Sequence, residues 1–232
     1  MTVFVLVHGA WGGSYGFRQV RRNLHRAGHD VFTPSLTGIG ERSHLTGPAV
    51  DLELHVTDVV NLVRYEDLDD IVLLGFSYGG MVVTGALDRL GERVRRLVYL
   101  DAFVPADGQS AADLARLPLP GDELGSPWVV APRPRQLDDP EAQAWSEARR
   151  VDQPIRTFIQ PVSLEVPLED RGLPLTYVKA TADPDEAPDS AFWAAAHHAR
   201  TSPAWDYHEI ATNHMVPMMR PDELTEVLLG LD

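Results

Sequence analysis

Ile71-Val72-Leu73-Leu74-Gly75-Phe76-Ser77-Tyr78-Gly79-Gly80 is the stretch on which the fold turns. Its first six residues form a short, apolar, β-branched run of the kind that fills a strand buried on both faces. From Tyr78 to Leu90 the pattern changes to that of a helix, which ends near Gly91. Between the two, Gly75-Phe76-Ser77-Tyr78-Gly79 matches G-x-S-x-G. A serine at the centre of such a strand-to-helix bend stands clear of the sheet, and glycines on either side let neighbouring backbone come close. The free N–H groups and the positive dipole end of the following helix favour negative charge developing there.

The same alternation extends outward. Val3 to Val7 reads as a buried strand, followed by glycines at 9, 12, 13 and 16. Phe17, Val20 and Leu24 recur at helical spacing in a segment closed by Gly28, and His29 to Thr33 reads as a second strand stopped by Pro34. Residues 35–48 read as loop and Leu52 to Arg64 as helix, with another strand at Arg96 to Leu100. Strands alternating with helices predict a parallel sheet of about six strands with right-handed crossovers, flanked by helices. The pattern resumes with a strand at Leu175 to Ala180, a helix near Ser190 to His198, a strand near Trp205 to Ile210 and a helix from Pro221 to Leu231.

Residues 105–174 interrupt it. Eleven prolines from Pro105 to Pro174 forbid regular sheet here, although helical fragments such as Glu141 to Arg150 fit within it. A long irregular insertion of this kind predicts a small cap over the site. The 232 residues read as one domain, large enough to bury a core, with this insertion inside it.

Composition narrows the function. There are 34 acidic and 20 basic residues, a formal charge of -14 that repels phosphate backbones and anionic lipid. Nucleic-acid and membrane partners are therefore not expected. The chain has no cysteine, which removes disulfides, thiolate nucleophiles and thiolate-bound metals. Met1 and Thr2 lead straight into an apolar run too short to span a bilayer, so a cytoplasmic location is expected.

A serine hydroxyl needs a base to take its proton. Among nine histidines, four lie beyond residue 190. His197 and His198 fall in a predicted helix and His208 inside a predicted strand. His214 follows that strand in a loop before the last helix, the position expected of the base. A carboxylate should orient it, and Asp183, at the end of the strand Leu175 to Ala180, is the first choice. Asp185 is the alternative. Asp101, ending the strand after the serine-bearing helix, could act from another edge but is assigned to pinning the chain before Pro105. Two N–H donors for a tetrahedral oxyanion are expected from Ala10 and Tyr78, with His8 bracing the first loop. Trp11, Phe103, Trp128, Phe158, Met215 and Met218 are candidate pocket walls, whereas Trp145 and Trp193 are assigned to core packing.

Three segments together resemble bacterial α/β-hydrolase esterases. They are Val5-Leu6-Val7-His8-Gly9-Ala10-Trp11, the string from Thr33 to Leu45, and Gly75 to Gly80. The chain is similar to pyrethroid-type carboxylesterases and, more distantly, to plant methylesterases and hydroxynitrile lyases. The resemblance implies an α/β-hydrolase fold, no cofactor or metal, and a Ser77–His214–Asp183 triad under a small cap. The apolar candidate walls suit a small or medium hydrophobic ester, cleaved through an acyl-enzyme intermediate. The lyase branch carries threonine at the position of Gly9 and lysine after its histidine, where this chain has Met215, so cyanohydrin cleavage is disfavoured. Acyl transfer, lyase or cyclase chemistry on the same triad, and ligand binding without catalysis, remain the alternatives. A homodimer is possible on this reading.

Overall fold

The computed structural model describes residues 1–117, 127–137 and 139–231; Pro118 and Pro120 of the predicted cap lie outside them. The first half runs β1 (Val3–Val7), α1 (Arg18–Arg26), β2 (Asp30–Phe32), α2 (Leu52–Tyr65), β3 (Ile71–Phe76), α3 (Gly79–Leu90) and β4 (Val94–Leu100). Among its described residues the Pro-rich segment contributes short elements: α4 (Ala111–Leu114), β5 (Val129–Val130), α5 (Pro140–Glu147), β6 (Gln153–Pro154) and α6 (Arg156–Ile159). The chain then returns with β7 (Leu175–Ala180), α7 (Ala191–Thr201), β8 (Trp205–Ile210), α8 (Val216–Met219) and α9 (Pro221–Leu229). Six strands pair in the order β2-β1-β3-β4-β7-β8, every neighbour parallel. This is the α/β-hydrolase fold.

Strand periodicity divides the core in two. Val5, Val7, Ile71, Leu73, Leu97, Tyr99, Leu175 and Tyr177 project to one face, where α2, α3 and α7 cover them. Phe4, Leu6, Val72, Leu74, Val98, Leu100 and Val178 project to the other, where α1 and α9 pack. The spacing Phe17, Val20, Leu24 read from the sequence is the buried stripe of that second layer. Each such side chain taken fully out of water contributes about 1.5–3 kcal/mol. Asp51 and Ser190 cap α2 and α7, accepting from the N–H groups of Leu54 and Trp193 at 2.9 and 3.1 Å.

Several boundaries differ from expectation for local reasons. The first helix is preceded by a 3-10 turn over Ser14–Phe17, and the loop after β2 holds another over Gly40–Leu45. α3 starts at Gly79, with Tyr78 before it already in helical conformation and Ser77 in a left-handed one.

Candidate active site

The sheet order creates the site. From β1 the chain passes to β2 on one side, then returns to β3 on the other, so the C-terminal ends of β1 and β3 flank a crevice. Ser77 stands at that end of β3 with φ 55°, and its own N–H donates to the Leu100 carbonyl at 3.1 Å. A left-handed conformation at a residue with a side chain costs roughly 1–3 kcal/mol and persists only where the surroundings enforce it. The motif glycines are part of that enforcement. A Cβ on Gly79 would come within 2.6 Å of the Val7 carbonyl oxygen, so only glycine lets α3 pack against the end of β1. Ser77 itself remains partly exposed to the crevice.

His214 comes to it from the loop after β8. The imidazole Nε2 lies 2.9 Å from Ser77 Oγ, and Nδ1 lies 2.6 Å from Oδ2 of Asp101. A carboxylate can only accept, so Nδ1 carries the proton and Nε2 is free to accept from the serine hydroxyl. Phe192 stacks on one face of the imidazole, centroids 5.1 Å apart and planes within 7°, and Phe76 lies tilted at 4.9 Å. Burial lowers the His214 pKa, and the nearby Arg135 guanidinium lowers it further, against the opposing pull of Asp101. Burial alone would raise the Asp101 pKa, but its hydrogen bond to His214 and the charges of His214 and Lys179 outweigh that, so it is lowered. The arrangement can move a proton from Ser77 to an imidazole whose resulting charge is stabilised by a carboxylate.

The carboxylate within hydrogen-bond reach of the imidazole is thus Asp101, where the sequence reading placed Asp183. Asp183 Oδ2 instead accepts from the backbone N–H of His214 at 3.1 Å and from Arg135 at 2.7 Å, tethering the loop rather than the ring. Asp185 is exposed, its N–H donating to Asp183 at 3.0 Å. Asp101, fully buried with φ 41°, is more than a pin for the chain. His197 and His198 lie exposed on α7, and His208 is half-buried in β8.

Ala10 and Tyr78 line the crevice together with Ser77. Among the described residues, neither the Ala10 nor the Tyr78 N–H donates to an acceptor. Their geometry is braced from behind. Buried His8 donates to the Gly9 carbonyl and accepts from Leu36 N–H, at 2.8 and 3.0 Å. The Tyr78 hydroxyl donates to buried His55 at 2.9 Å, and His55 donates to the Thr37 carbonyl at 2.8 Å. Trp11, with φ 59°, donates from its N–H to Gln153 and from its indole to Val130, both at 2.8 Å, so β5 and β6 hold the loop after β1. A Cβ on Gly9 would meet Ser77 Cβ at 2.9 Å, leaving no slack between the two loops.

Two chambers meet at Ala10, Trp11, Ser77 and Arg135. The smaller, of about 70 Å³, reaches His214 and is walled by Phe17, Phe76, Met215 and Met218. The larger, of about 570 Å³, extends under the Pro-rich segment past Phe103, Phe158 and Phe192. Trp128 walls neither chamber; its exposed ring lies outside while its carbonyl accepts from Ile155 N–H at 2.8 Å. Phe192, unremarked in the sequence, walls the larger one. Trp145 packs edge-on against Tyr15 at 5.5 Å, and Trp193 lies beneath the Lys179 ammonium at 4.5 Å. Among the described residues no three His, Cys, Asp or Glu side chains are grouped to hold a metal ion, and no helix is long and apolar enough to cross a membrane.

Residues 4–227 match the model of the alpha/beta hydrolase family, to which the chain belongs. It is carboxylesterase-like: a carbendazim hydrolyzing esterase from Nocardioides is 36% identical over 250 residues, covering 100% of both chains. A putative chloroplastic methylesterase from Arabidopsis thaliana is 29% identical over 53% of this chain and 34% of its own length. The crystal structure of an Arabidopsis methylesterase superposes with a TM-score of 0.80 at 23% identity, covering 99% of this chain and 98% of that one, a likeness of fold.

Proposed function

We propose that the protein hydrolyses carboxylic esters through an acyl-enzyme on Ser77. The observation that carries this is the continuous chain from Ser77 Oγ to His214 to Asp101, at 2.9 and 2.6 Å. His214 takes the Ser77 proton as Oγ attacks the ester carbonyl, and Asp101 stabilises the imidazolium. The Ala10 and Tyr78 amides receive the oxyanion. His214 then returns the proton to the departing alcohol, and a water repeats the sequence to release the acid.

Unequal chambers support a particular orientation. The leaving alcohol must sit within reach of His214, and the smaller chamber is the one that His214 walls. At about 70 Å³ it has room for a methyl or ethyl group, whereas the larger chamber suits a bulky apolar acyl group. A small-alcohol ester is thus the substrate class that fits, in keeping with methylesterases among the relatives. A serine-directed fluorophosphonate tests the assignment. Mass spectrometry should map the adduct to Ser77, and Ser77→Ala should abolish both labelling and turnover of p-nitrophenyl acetate. Turnover that survives in Ser77→Ala overturns it.

A further inference from the structure

Lys179 is the penultimate residue of a strand whose other side chains are buried, and its side chain has no solvent exposure at all. An ammonium in such a place is tolerated only when its donors are satisfied and its charge is opposed. All three donors are engaged: Asp101 Oδ1 at 2.6 Å, Glu186 Oε2 at 2.6 Å and the Ala180 carbonyl at 2.7 Å. Its open side rests over the Trp193 ring at 4.5 Å. Glu186 is held in turn by Ser190, the residue that caps α7.

The two oxygens of Asp101 are thus divided, Oδ2 to the His214 ring and Oδ1 to Lys179. Register produces this: β4 and β7 pair Leu100 with Val178, which places Asp101 beside Lys179 one residue on. Granted the Ser77–His214–Asp101 reading above, the geometry points to Lys179 and Glu186 as positioning residues, a buried cation and its counter-anion that aim the Asp101 carboxylate at His214 and set the net charge the imidazole feels. Other charged or titratable groups surround the pair. Tyr177 lies on β7 and Tyr207 on β8, both within the field of Asp101, and the charges of Arg135 and Asp183 also act on His214.

The two residues have opposite signs, so their removal has opposite consequences. Lys179→Met leaves Asp101 unneutralised, which stabilises the imidazolium; Glu186→Gln leaves Lys179 unopposed, which destabilises it. The pH dependence of kcat/KM for p-nitrophenyl acetate reads this directly. Lys179→Met should move the acid limb up and Glu186→Gln should move it down, each by about half a pH unit or more. The double variant should return the limb toward wild type. Loss of aim should also cut kcat about tenfold or more in Lys179→Met, with KM little changed. Glu186→Gln is nearly isosteric and keeps an acceptor for Lys179, so it reports even if Lys179→Met does not fold. An acid limb unmoved or moved upward in Glu186→Gln overturns the proposal. Ser77→Ala and Asp101→Asn separate this from failure of the underlying mechanism: full activity in those two variants sinks the mechanism. Their inactivity beside an unmoved limb in Glu186→Gln sinks only the positioning role.

Discussion

Asp183 holds the backbone of His214, accepting its N–H at 3.1 Å, while the side chain of the same histidine turns to Asp101. Two carboxylates thus approach one residue with different tasks. Asp101→Asn removes the charge that stabilises the imidazolium and admits the wrong tautomer, so kcat should fall about 10⁴-fold. Asp183→Asn keeps an oxygen that accepts from His214 N–H and from Arg135, so the rate should stay within about tenfold of wild type. Steady-state kinetics of the two variants decide. Equal losses would contradict the division of labour.

That distinction marks where the sequence stopped being legible. The strand, helix and turn around Ser77 announce themselves through local pattern, because period and glycine placement are properties of neighbouring residues. His214 could be chosen from chain order and its position after a strand. The acid could not, since Asp101 and Asp183 both end parallel strands, and only the packing of β4 between β3 and β7 decides which side chain meets the ring. One signal was available. Lys179 sits in the run Leu175–Ala180, every residue of which is buried, and a buried lysine requires an anion at the end of an adjacent strand. Phe192 and Gln153 gave no such hint, because their contacts to His214 and Trp11 cross long stretches of chain.

Under the proposed mechanism, the protonation of His214 sets the acid side of the activity profile. Its pKa is lowered by burial and then by Arg135, against Asp101, from the ordinary imidazole value of 6.5. The imidazolium cannot accept the serine proton, so kcat/KM should rise through a limb centred below pH 6.5 and stay flat above it. Removing the guanidinium in Arg135→Gln should move that limb up. A pH profile in which Arg135→Gln moves the limb down would show that Arg135 acts otherwise.

His55 predicts a pH dependence of stability rather than of rate. Burial lowers its pKa from 6.5 to about 4, outweighing the hydrogen bond to the Thr37 carbonyl and the charge of Asp58, both of which raise it. The unfolded chain binds a proton at His55 below pH 6.5 and the native chain does not until about pH 4. Stability from this residue is therefore complete above 6.5 and lost as the pH falls through that window, by roughly 3 kcal/mol in total. Urea unfolding of wild type and His55→Gln at intervals from pH 7 to pH 4 should give curves that converge as the pH falls, the slopes differing by about one proton. Parallel curves would mean that His55 takes up its proton at the same pH in the folded as in the unfolded chain.

The walls of the smaller chamber translate into a preference among esters. Each methylene of the alcohol that must be accommodated there meets Phe17, Phe76 or a methionine, while extra carbon on the acyl side finds the larger space. For a fixed aromatic acyl group, kcat/KM should fall from the methyl to the butyl ester by about tenfold or more, since forcing carbon into filled space costs roughly 1–3 kcal/mol. Met218 is only half-buried and lines this chamber without touching the hydrogen-bonded chain through His214. Met218→Ala should therefore open room for the longer alcohol, raising the butyl-to-methyl ratio severalfold while leaving the methyl ester nearly unchanged. If lengthening the acyl group proves as costly as lengthening the alcohol, and Met218→Ala relieves only the former, the alcohol occupies the larger chamber and the orientation is reversed.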